Sequence, residues 1–318
     1  MGVFPVRQIR DLKIQGASNI AIFALETLLK EGKKLRLKDP SKFHERILKL
    51  ATQLAVARPT EPATRNALAL VLTRLEKVKK LSVSSLKREL RTSVNEVKKL
   101  IEDIQQKTVE VASNRIPREC TILTHCHSST VVRAILKAHG KGKEIEVICT
   151  ETRPKYQGRI TARELASAGV DTTLIVDSAV RRFMKEVDLV MVGADVICSN
   201  GAVVNKIGTS TIAAIAKEHR VPLVVVSGSY KFDPLTEAGH LESIEERNPR
   251  EILPTPIKGV KVRNPAFDVT PPDYIDGIAS DGGLVPPIEL RNVFKKKFEI
   301  NMKFLEEFHK ILKSKFKS

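Results

Sequence analysis

The 318-residue chain contains no tryptophan and only three tyrosines. It therefore offers few aromatic faces on which nucleic-acid bases could stack. It also has no GxGxxG fingerprint and no Walker P-loop, so we expect neither a nicotinamide cofactor nor ATP hydrolysis. No apolar run approaches the ~20 residues of a membrane-spanning helix, and the first residues show no secretory-signal pattern. We expect a cytoplasmic protein with no membrane partner.

Cysteine is scarce, and no CxxC pair is present. This pattern favours reduced thiols over a disulfide scaffold. His125, Cys126 and His127 could be considered as zinc ligands, but adjacent residues of a strand point to opposite faces. We therefore expect no metal. The four cysteines all lie in the central part of the chain: Cys120, Cys126, Cys149 and Cys198.

The charge is strongly positive, with 54 Lys and Arg against 37 Asp and Glu and a net charge of +17. Such a balance favours anionic substrates or nucleic acid. No RNA-binding signature accompanies it, so we favour a solvated, lysine-rich surface and expect no nucleic-acid partner.

Apolar residues recur at helical spacing through residues 6–113, and the pattern changes near Asn114–Pro117. From Cys120 onward, short apolar runs alternate with helical segments of ~12 residues, which is typical of a doubly wound parallel sheet. The sequence predicts an α/β protein: an all-helical N-terminal domain (residues 1–115), then a Rossmann-like, mostly parallel sheet domain with a C-terminal helix (116–318). The proline-dense segment 264–272 is predicted to be an ordered wrap, neither helix nor central strand.

Three apolar runs end in clusters of small, polar and titratable residues, at His125–Ser129, Glu151–Lys155 and Gly193–Asp195. In open α/β sheets, ligands bind beyond the carboxyl ends of the strands. We therefore expect the three clusters to form one site.

Cys126 follows a predicted strand and precedes the helix that Ser128–Thr130 begins. The positive end of a helix dipole lowers a thiol pKa, and a charged His125 or His127 would reinforce this effect. The same helix start could bind phosphate. The alternative is a buried structural cysteine.

Asp195 is flanked by apolar residues, which would raise its pKa and keep it protonated as a general acid. A turn-forming or capping aspartate is the alternative.

Cations at the ends of predicted elements suggest a site for two phosphates, although each lysine could simply be solvated. The turn Gln15–Ser18 could present backbone N–H groups to an anion. The cations that suggest the site for two phosphates are Arg58, Arg153, Lys155, Lys206 and Lys231.

Together, the stretches THCHSS, TETRPKYQG, VGAD, NGAVVNKIGT, YKF and NPAFDVTPP resemble one superfamily. It joins the regulatory α/β/δ subunits of translation initiation factor 2B to sugar-phosphate aldose–ketose isomerases, and the chain is most similar to the archaeal ribose-1,5-bisphosphate isomerases. The resemblance implies that Cys126 and Asp195 are catalytic. It also implies substrate contacts from Gln15, Gly16, Ala17, Ser18, Arg58, Ser128, Ser129, Thr130, Arg153, Lys155, Asn205, Lys206 and Lys231. The family usually has arginine where this chain has Gln15, which removes one charged phosphate contact.

The function that this resemblance implies is conversion of ribose 1,5-bisphosphate to ribulose 1,5-bisphosphate in nucleotide salvage, without a cofactor. AMP is implied as an activator, and a hexamer or at least a dimer as the assembly. Two alternatives stay open. A non-enzymatic regulatory subunit like those of initiation factor 2B gives no reason for Cys126 beside a phosphate-ready helix start. A methylthioribose-1-phosphate isomerase, whose substrate has one phosphate, needs fewer cations.

Overall fold

The structure, a computed structural model, describes residues 3–11, 14, 16–58, 60–236 and 244–315. These residues form two units. Unit 1 comprises the described residues up to Asp103, Tyr230–Leu235, and the residues from Phe294 onward. Unit 2 comprises the described residues of Ile104–Ser229 and Thr236–Val293. In the described ranges, no helix has the length and apolar character needed to cross a membrane.

Helices α1–α5 precede the first strand, and their limits follow local signals. Pro40 begins α3, where Asp39 accepts hydrogen bonds from the N–H groups of Ser41 (2.8 Å) and Lys42 (3.3 Å). A capping carboxylate and a proline in the first turn both favour a helix start. The helices are α1 (Val3–Arg10), α2 (Ala17–Lys34), α3 (Pro40–Ala55), α4 (Pro62–Lys77) and α5 (Val83–Arg115). The predicted N-terminal helical region is confirmed.

The centre of unit 1 is α4. Its residues from Ala63 to Leu72 are all buried, because α2, α3 and the C-terminal helix α11 (Met302–Lys315) pack around it. Packing from several sides explains why this helix lacks a solvent-exposed face over most of its length.

The C-terminal residues differ from their prediction as a single helix within the sheet domain. The chain forms α10 (Leu290–Lys297) and then α11, and residues from Phe294 onward pack with unit 1. Between the two helices, the Asn301 N–H donates to Thr73 Oγ1 (2.9 Å), and Asn301 Oδ1 accepts from the Lys303 N–H (3.2 Å). Asn301 therefore begins a new helix.

Polar side chains of α4 hold the segment Tyr230–Leu235 in unit 1. Asn66 Nδ2 donates to the carbonyl oxygens of Tyr230 (2.9 Å) and Phe232 (2.8 Å), the residues on either side of Lys231. Arg65 Nη2 donates to Asp233 Oδ2 at 2.8 Å, and both side chains are at most 5% exposed. These bonds satisfy buried polar groups and fix the backbone around Lys231.

The strands are β1 (Glu119–Thr124), β2 (Glu144–Thr150), β3 (Asp171–Ile175), β4 (Leu189–Val192), β5 (Val196–Cys198), β6 (Val203–Lys206), β7 (Leu223–Val226), β8 (Phe232–Asp233), β9 (Phe267–Thr270), β10 (Gly277–Ser280) and β11 (Gly283–Val285). The larger sheet of unit 2 has the order β11-β10-β7-β4-β1-β2-β3. Its neighbouring strands are parallel except for β10 and β11. The predicted α/β fold with a doubly wound sheet is confirmed.

Helices α6 (Ser129–His139), α7 (Gly158–Ser167), α8 (Val180–Phe183) and α9 (Thr209–His219) connect these strands. Isoleucine, valine and leucine from the strands pack against α6 in a buried core, as expected for parallel strands covered on both faces. The segment Ser178–Val187 is predicted as one helix, but it forms only the short α8 between two 3₁₀ turns.

Within unit 2, a smaller antiparallel arrangement joins β5 to β6 and β6 to β9. In the register of β6 and β9, Asn205 lies opposite Asp268 and Lys206 opposite Phe267. Thus part of the proline-dense segment, predicted as a wrap, forms a strand at the edge of this sheet. Prolines on both sides of β9 are compatible with an edge position.

We expect Arg65→Met to lower the free energy of unfolding by about 3–5 kcal/mol, because it leaves the buried Asp233 carboxylate without its arginine. Chemical denaturation measures this loss. Arg181→Met is the matched control, since the Arg181–Glu218 pair is more than half exposed and solvent screens such pairs. Equal losses in the two variants would contradict a stabilising role of the buried pair.

Candidate active site

The order of the larger sheet changes direction between β1 and β4, which are neighbours. The chain runs from β1 outward to β2 and β3, then returns to the other side of β1 at β4. Cys126 follows the end of β1, and Asp195 follows the end of β4. Ligands of doubly wound proteins bind at this switch point, beyond the carboxyl ends of the strands.

Cys126 has a left-handed backbone conformation, with φ at 67°, which is uncommon for a residue other than glycine. Hydrogen bonds with two threonines fix the Cys126 backbone. The Cys126 N–H donates to Thr152 Oγ1 (2.8 Å), and Thr161 Oγ1 donates to the Cys126 carbonyl oxygen (2.9 Å). As a whole residue, Cys126 is partly exposed, whereas the other three cysteines are buried. Cys126 is therefore the cysteine best placed to react with a ligand.

Burial raises the pKa of Cys126 to about 11, because a thiolate loses hydration there. The positive charge of Lys206 opposes this effect, as do the His127 N–H and Arg247, while Asp195 adds to it. The expectation that the helix start would lower this thiol pKa is wrong for the free protein, because the loss of hydration outweighs the cations. Cys126 is a neutral thiol near pH ~7.

The two histidines beside Cys126 have separate partners. Nδ1 of His125 lies 2.6 Å from Thr150 Oγ1, and Nδ1 of His127 lies 3.0 Å from Thr161 Oγ1. Burial lowers the pKa of His125, so this ring is neutral and does not reinforce ionisation of the thiol. In the described part of the chain, no group of three His, Cys, Asp or Glu side chains could hold a metal ion.

Ser128 caps α6, and its Oγ accepts a hydrogen bond from the Val131 N–H (3.4 Å). The first N–H groups of a helix have no partner within it, so those of Ser129 and Thr130 can bind an anion. A Cβ atom on Gly193 would lie 2.8 Å from Ser128 Oγ. The glycine of Val-Gly-Ala-Asp therefore lets the end of β4 approach the start of α6.

Asn205 and Lys206 end β6, and both are buried. Asn205 Nδ2 donates to Thr209 Oγ1 (3.0 Å), which in turn donates to the Lys206 carbonyl oxygen (2.6 Å). The Lys206 ammonium lies 5.2 Å from the centre of the Phe267 ring, within the range of a cation–π interaction. The pKa of Cys126 responds to Lys206, so this part of the predicted site is brought together.

Asp268 holds the turn that follows Lys206. Its Oδ2 accepts hydrogen bonds from the N–H groups of Gly208 (2.7 Å) and Ser210 (3.1 Å), at the start of α9. Its Oδ1 is buried and has no hydrogen-bond partner among the described residues. Burial raises the pKa of Asp268 to about 6, because the ionised carboxylate is poorly hydrated.

Arg153 and Lys155 lie on an exposed turn after β2. Asp177 Oδ1 and Oδ2 accept hydrogen bonds from the N–H groups of Thr152 and Arg153, both at 2.7 Å. The Arg153 guanidinium lies 5.2 Å from the centre of the Tyr156 ring, and Lys155 pairs with Glu251 at 2.9 Å. Both cations therefore have protein partners with which a phosphate would compete.

The other predicted binding residues belong to unit 1, except Gln15, which lies outside the described residues. Gly16 has φ at 86° and precedes α2, which Ala17 begins. Ser18 Oγ is 2.7 Å from the Tyr230 hydroxyl, and Arg58 forms a buried ion pair with Glu61 at 2.8 Å. Ser18 and the segment that contains Lys231 thus meet within unit 1.

Four residues that shape the surroundings of Cys126, Lys206 and Lys231 are absent from the predicted site residues: Thr152, Asn66, Arg247 and Asp268. Asp268 lies in the NPAFDVTPP stretch, so its motif was a usable signal. Arg247 lies in a loop-rich segment without periodicity, and only its effect on the pKa of Cys126 connects it to the site.

Asp268→Asn should remove a pH-dependent contribution to the free energy of unfolding. The folded protein holds the Asp268 proton more tightly than the unfolded chain does. The proton on Asp268 therefore contributes fully to stability below the pKa of this residue in the unfolded chain. This contribution is lost as the pH rises through about 6. We expect wild type to lose on the order of 2 kcal/mol relative to Asp268→Asn between pH ~4 and ~7. Urea denaturation across this range measures it, and a constant difference would contradict it.

Comparison with known proteins identifies the family of the chain. The model of the initiation factor 2 subunit family matches residues 13–287. Ribose 1,5-bisphosphate isomerase of Archaeoglobus fulgidus is 47% identical over 282 residues, 88% of each chain. The solved 5-methylthioribose 1-phosphate isomerase of Pyrococcus horikoshii OT3 is 30% identical, with a TM-score of 0.77 over 94% of this chain and 87% of that one. The translation initiation factor eIF-2B of Pyrococcus horikoshii OT3 is 29% identical, with a TM-score of 0.78 over 90% and 96%. The chain belongs to the initiation factor 2 subunit family.

Proposed function

We propose that the protein is an aldose–ketose isomerase that converts ribose 1,5-bisphosphate to ribulose 1,5-bisphosphate, with Cys126 and Asp195 as its acid–base pair. The main support is the position of these two residues after neighbouring strands at the switch point of the sheet. The identity to a named ribose 1,5-bisphosphate isomerase, 47% over most of both chains, supports the choice of substrate.

The proposed reaction needs only proton transfers. Asp195 gives a proton to the ring oxygen as its bond to C1 breaks, and the Cys126 thiolate removes the proton from C2. The hydroxyl proton on C2 leaves as the carbonyl forms, and C1 gains a proton. Two protons are lost and two are gained, so the sugar is isomerised without a net oxidant or cofactor. A positioned acid and a positioned base each raise the rate of such a step by ~10²–10⁴-fold.

Because the Cys126 thiol is neutral in the free protein, the base must form by loss of its proton. Lys206 and Arg247 favour the thiolate, since nearby positive charge stabilises it. Lys206 is 7% exposed, so water screens its charge less than that of a surface lysine. We assign Lys206 two tasks, stabilising the thiolate and binding a substrate phosphate.

The remaining binding residues are proposed from the family resemblance. The N–H groups at the start of α6 suit a phosphate, and Asn205 and Lys206 lie near the thiol. We propose further contacts from Gly16, Ala17, Ser18, Arg58, Arg153, Lys155 and Lys231, with Gln15 giving a weaker contact than the usual arginine. We also propose a cytoplasmic enzyme of nucleotide salvage that AMP activates and that assembles as a hexamer or at least a dimer.

Two other functions are separable from this one. A regulatory subunit of an initiation factor would turn over neither ribose 1,5-bisphosphate nor methylthioribose 1-phosphate. A methylthioribose-1-phosphate isomerase would prefer the substrate with one phosphate. Parallel assays of both sugars, by the kcat/KM ratio, test the proposal directly. A preference for methylthioribose 1-phosphate, or no turnover of either, would contradict it.

We expect Cys126→Ser and Asp195→Asn each to lower kcat on ribose 1,5-bisphosphate by ~10²–10⁴-fold, because each removes one proton-transfer group. Asp171→Asn, at an exposed position of β3, is the control and should keep wild-type activity. A Cys126→Ser enzyme with full activity would exclude the thiolate as the base.

In Asp195→Asn, where residue 195 no longer titrates, the dependence of the residual kcat/KM on pH should follow ionisation of Cys126 alone. Since its pKa is raised to about 11, the thiolate fraction and kcat/KM should rise about tenfold per pH unit between pH ~7 and ~9. Lys206→Met should move the profile to higher pH, because Lys206 lowers this pKa. A profile that stays flat over this range would argue against a thiolate base.

A further inference from the structure

His125 directly precedes Cys126 and is 2% exposed. Its Nε2 lies 2.9 Å from the carbonyl oxygen of Ile207, and its Nδ1 lies 2.6 Å from Thr150 Oγ1. A carbonyl oxygen only accepts hydrogen bonds, so Nε2 carries the hydrogen and Nδ1 accepts from the threonine hydroxyl. Burial lowers the pKa of His125, which keeps the ring in this neutral form.

The Ile207 carbonyl belongs to the turn that joins β6 to α9, and Ile207 directly follows Lys206. The ring packs tightly against this turn. A Cβ atom on Gly208, whose φ is 104°, would lie 3.1 Å from His125 Nε2. One imidazole therefore connects the residue before the thiol, the end of β2 and the turn after the lysine.

The charges that act on these groups come from several elements. Asp177 and Lys206 act on His125, whereas Lys206, Asp195 and Arg247 act on Cys126. Lys206 is the group common to both sets. A shift of the turn after β6 would therefore change the electrostatic effect of Lys206 on the thiol.

We propose that His125 is a positioning residue whose Nε2–H, through the Ile207 carbonyl, holds Lys206 where its charge stabilises the Cys126 thiolate. Because Lys206 is attached directly to Ile207, losing this hydrogen bond removes one of the contacts that fix the turn beside it, next to those of Asp268. Losing the Thr150 contact leaves the turn in place. Nε2 of His125 is therefore more important than Nδ1 for the position of Lys206. This inference rests on the proposed function for its effect on catalysis, but not for its effect on the thiol.

Two amide variants distinguish the nitrogens. Glutamine places its amide nitrogen near the position of Nε2, and asparagine places its amide near Nδ1. We expect His125→Gln to keep kcat/KM on ribose 1,5-bisphosphate within a few-fold of wild type, and His125→Asn to lose about tenfold or more, since a buried hydrogen bond is lost. The same two substitutions at His219, in the last turn of α9, control for loss of a histidine. Equal activity of the two His125 variants would overturn the proposal.

A measurement on the thiol needs no substrate. The rate of Cys126 alkylation by iodoacetamide, followed across pH by mass spectrometry of its peptide, gives the pH at which the thiol ionises. We expect this midpoint to lie higher in His125→Asn than in His125→Gln. In a Lys206→Met background, His125→Asn should add little further shift, because coupled residues are not additive. An unchanged or lower midpoint, or a shift that persists without Lys206, would overturn the proposal.

If His125→Asn does not fold, Thr150→Val tests the prediction for the other nitrogen, because it removes the Thr150 contact of Nδ1 and leaves the Nε2–H bond to Ile207. Nδ1 then keeps only its longer contact with Thr152 Oγ1, at 3.4 Å. The alkylation midpoint of Thr150→Val should match wild type, and a shift as large as that of Lys206→Met would overturn the proposal. Absence of isomerase activity in wild type would count against the proposed function alone, since alkylation reports on His125 independently.

Discussion

The parallel hydrogen bonds between β1 and β4 join two strands that are far apart in the chain. Ile122 pairs with Leu189 and Leu123 with Val190, and this register sets where each strand ends relative to the other. The residues that follow, Cys126 and Asp195, lie on loops, but buried strands determine where those loops begin. A slip of one residue would turn every side chain of one strand to the other face of the sheet. The site therefore depends on core packing.

Two opposing effects act on the thiol once it is in place. Burial removes water from Cys126 and raises its pKa, while Lys206 and Arg247 lower it. The same burial makes each nearby charge more effective, because the local dielectric is lower than that of water. A site of this kind responds strongly to small changes in the distance of one cation. Buried hydrogen bonds of His125 and Asp268 fix the turn that follows Lys206.

Much of the fold could be predicted from local patterns. Helical spacing and the alternation of apolar runs with helices are properties of neighbouring residues, and they predict the helical region and the parallel sheet. The strand β9 and the break at Asn301 were not predictable in this way. Both depend on partners distant in the sequence: β6 for the strand, and Thr73 for the break.

The order of residue types establishes which chemical groups the protein has and where strands stop, and these two properties are enough to identify Cys126, Asp195 and Lys206 as candidate site residues. Such properties are local, since they depend on residue type and on near neighbours. The folded structure establishes the protonation states of Cys126 and His125, the role of Asp268 and the influence of Arg247. These depend on hydration and on distances between segments that are remote along the chain, and a linear pattern contains neither quantity.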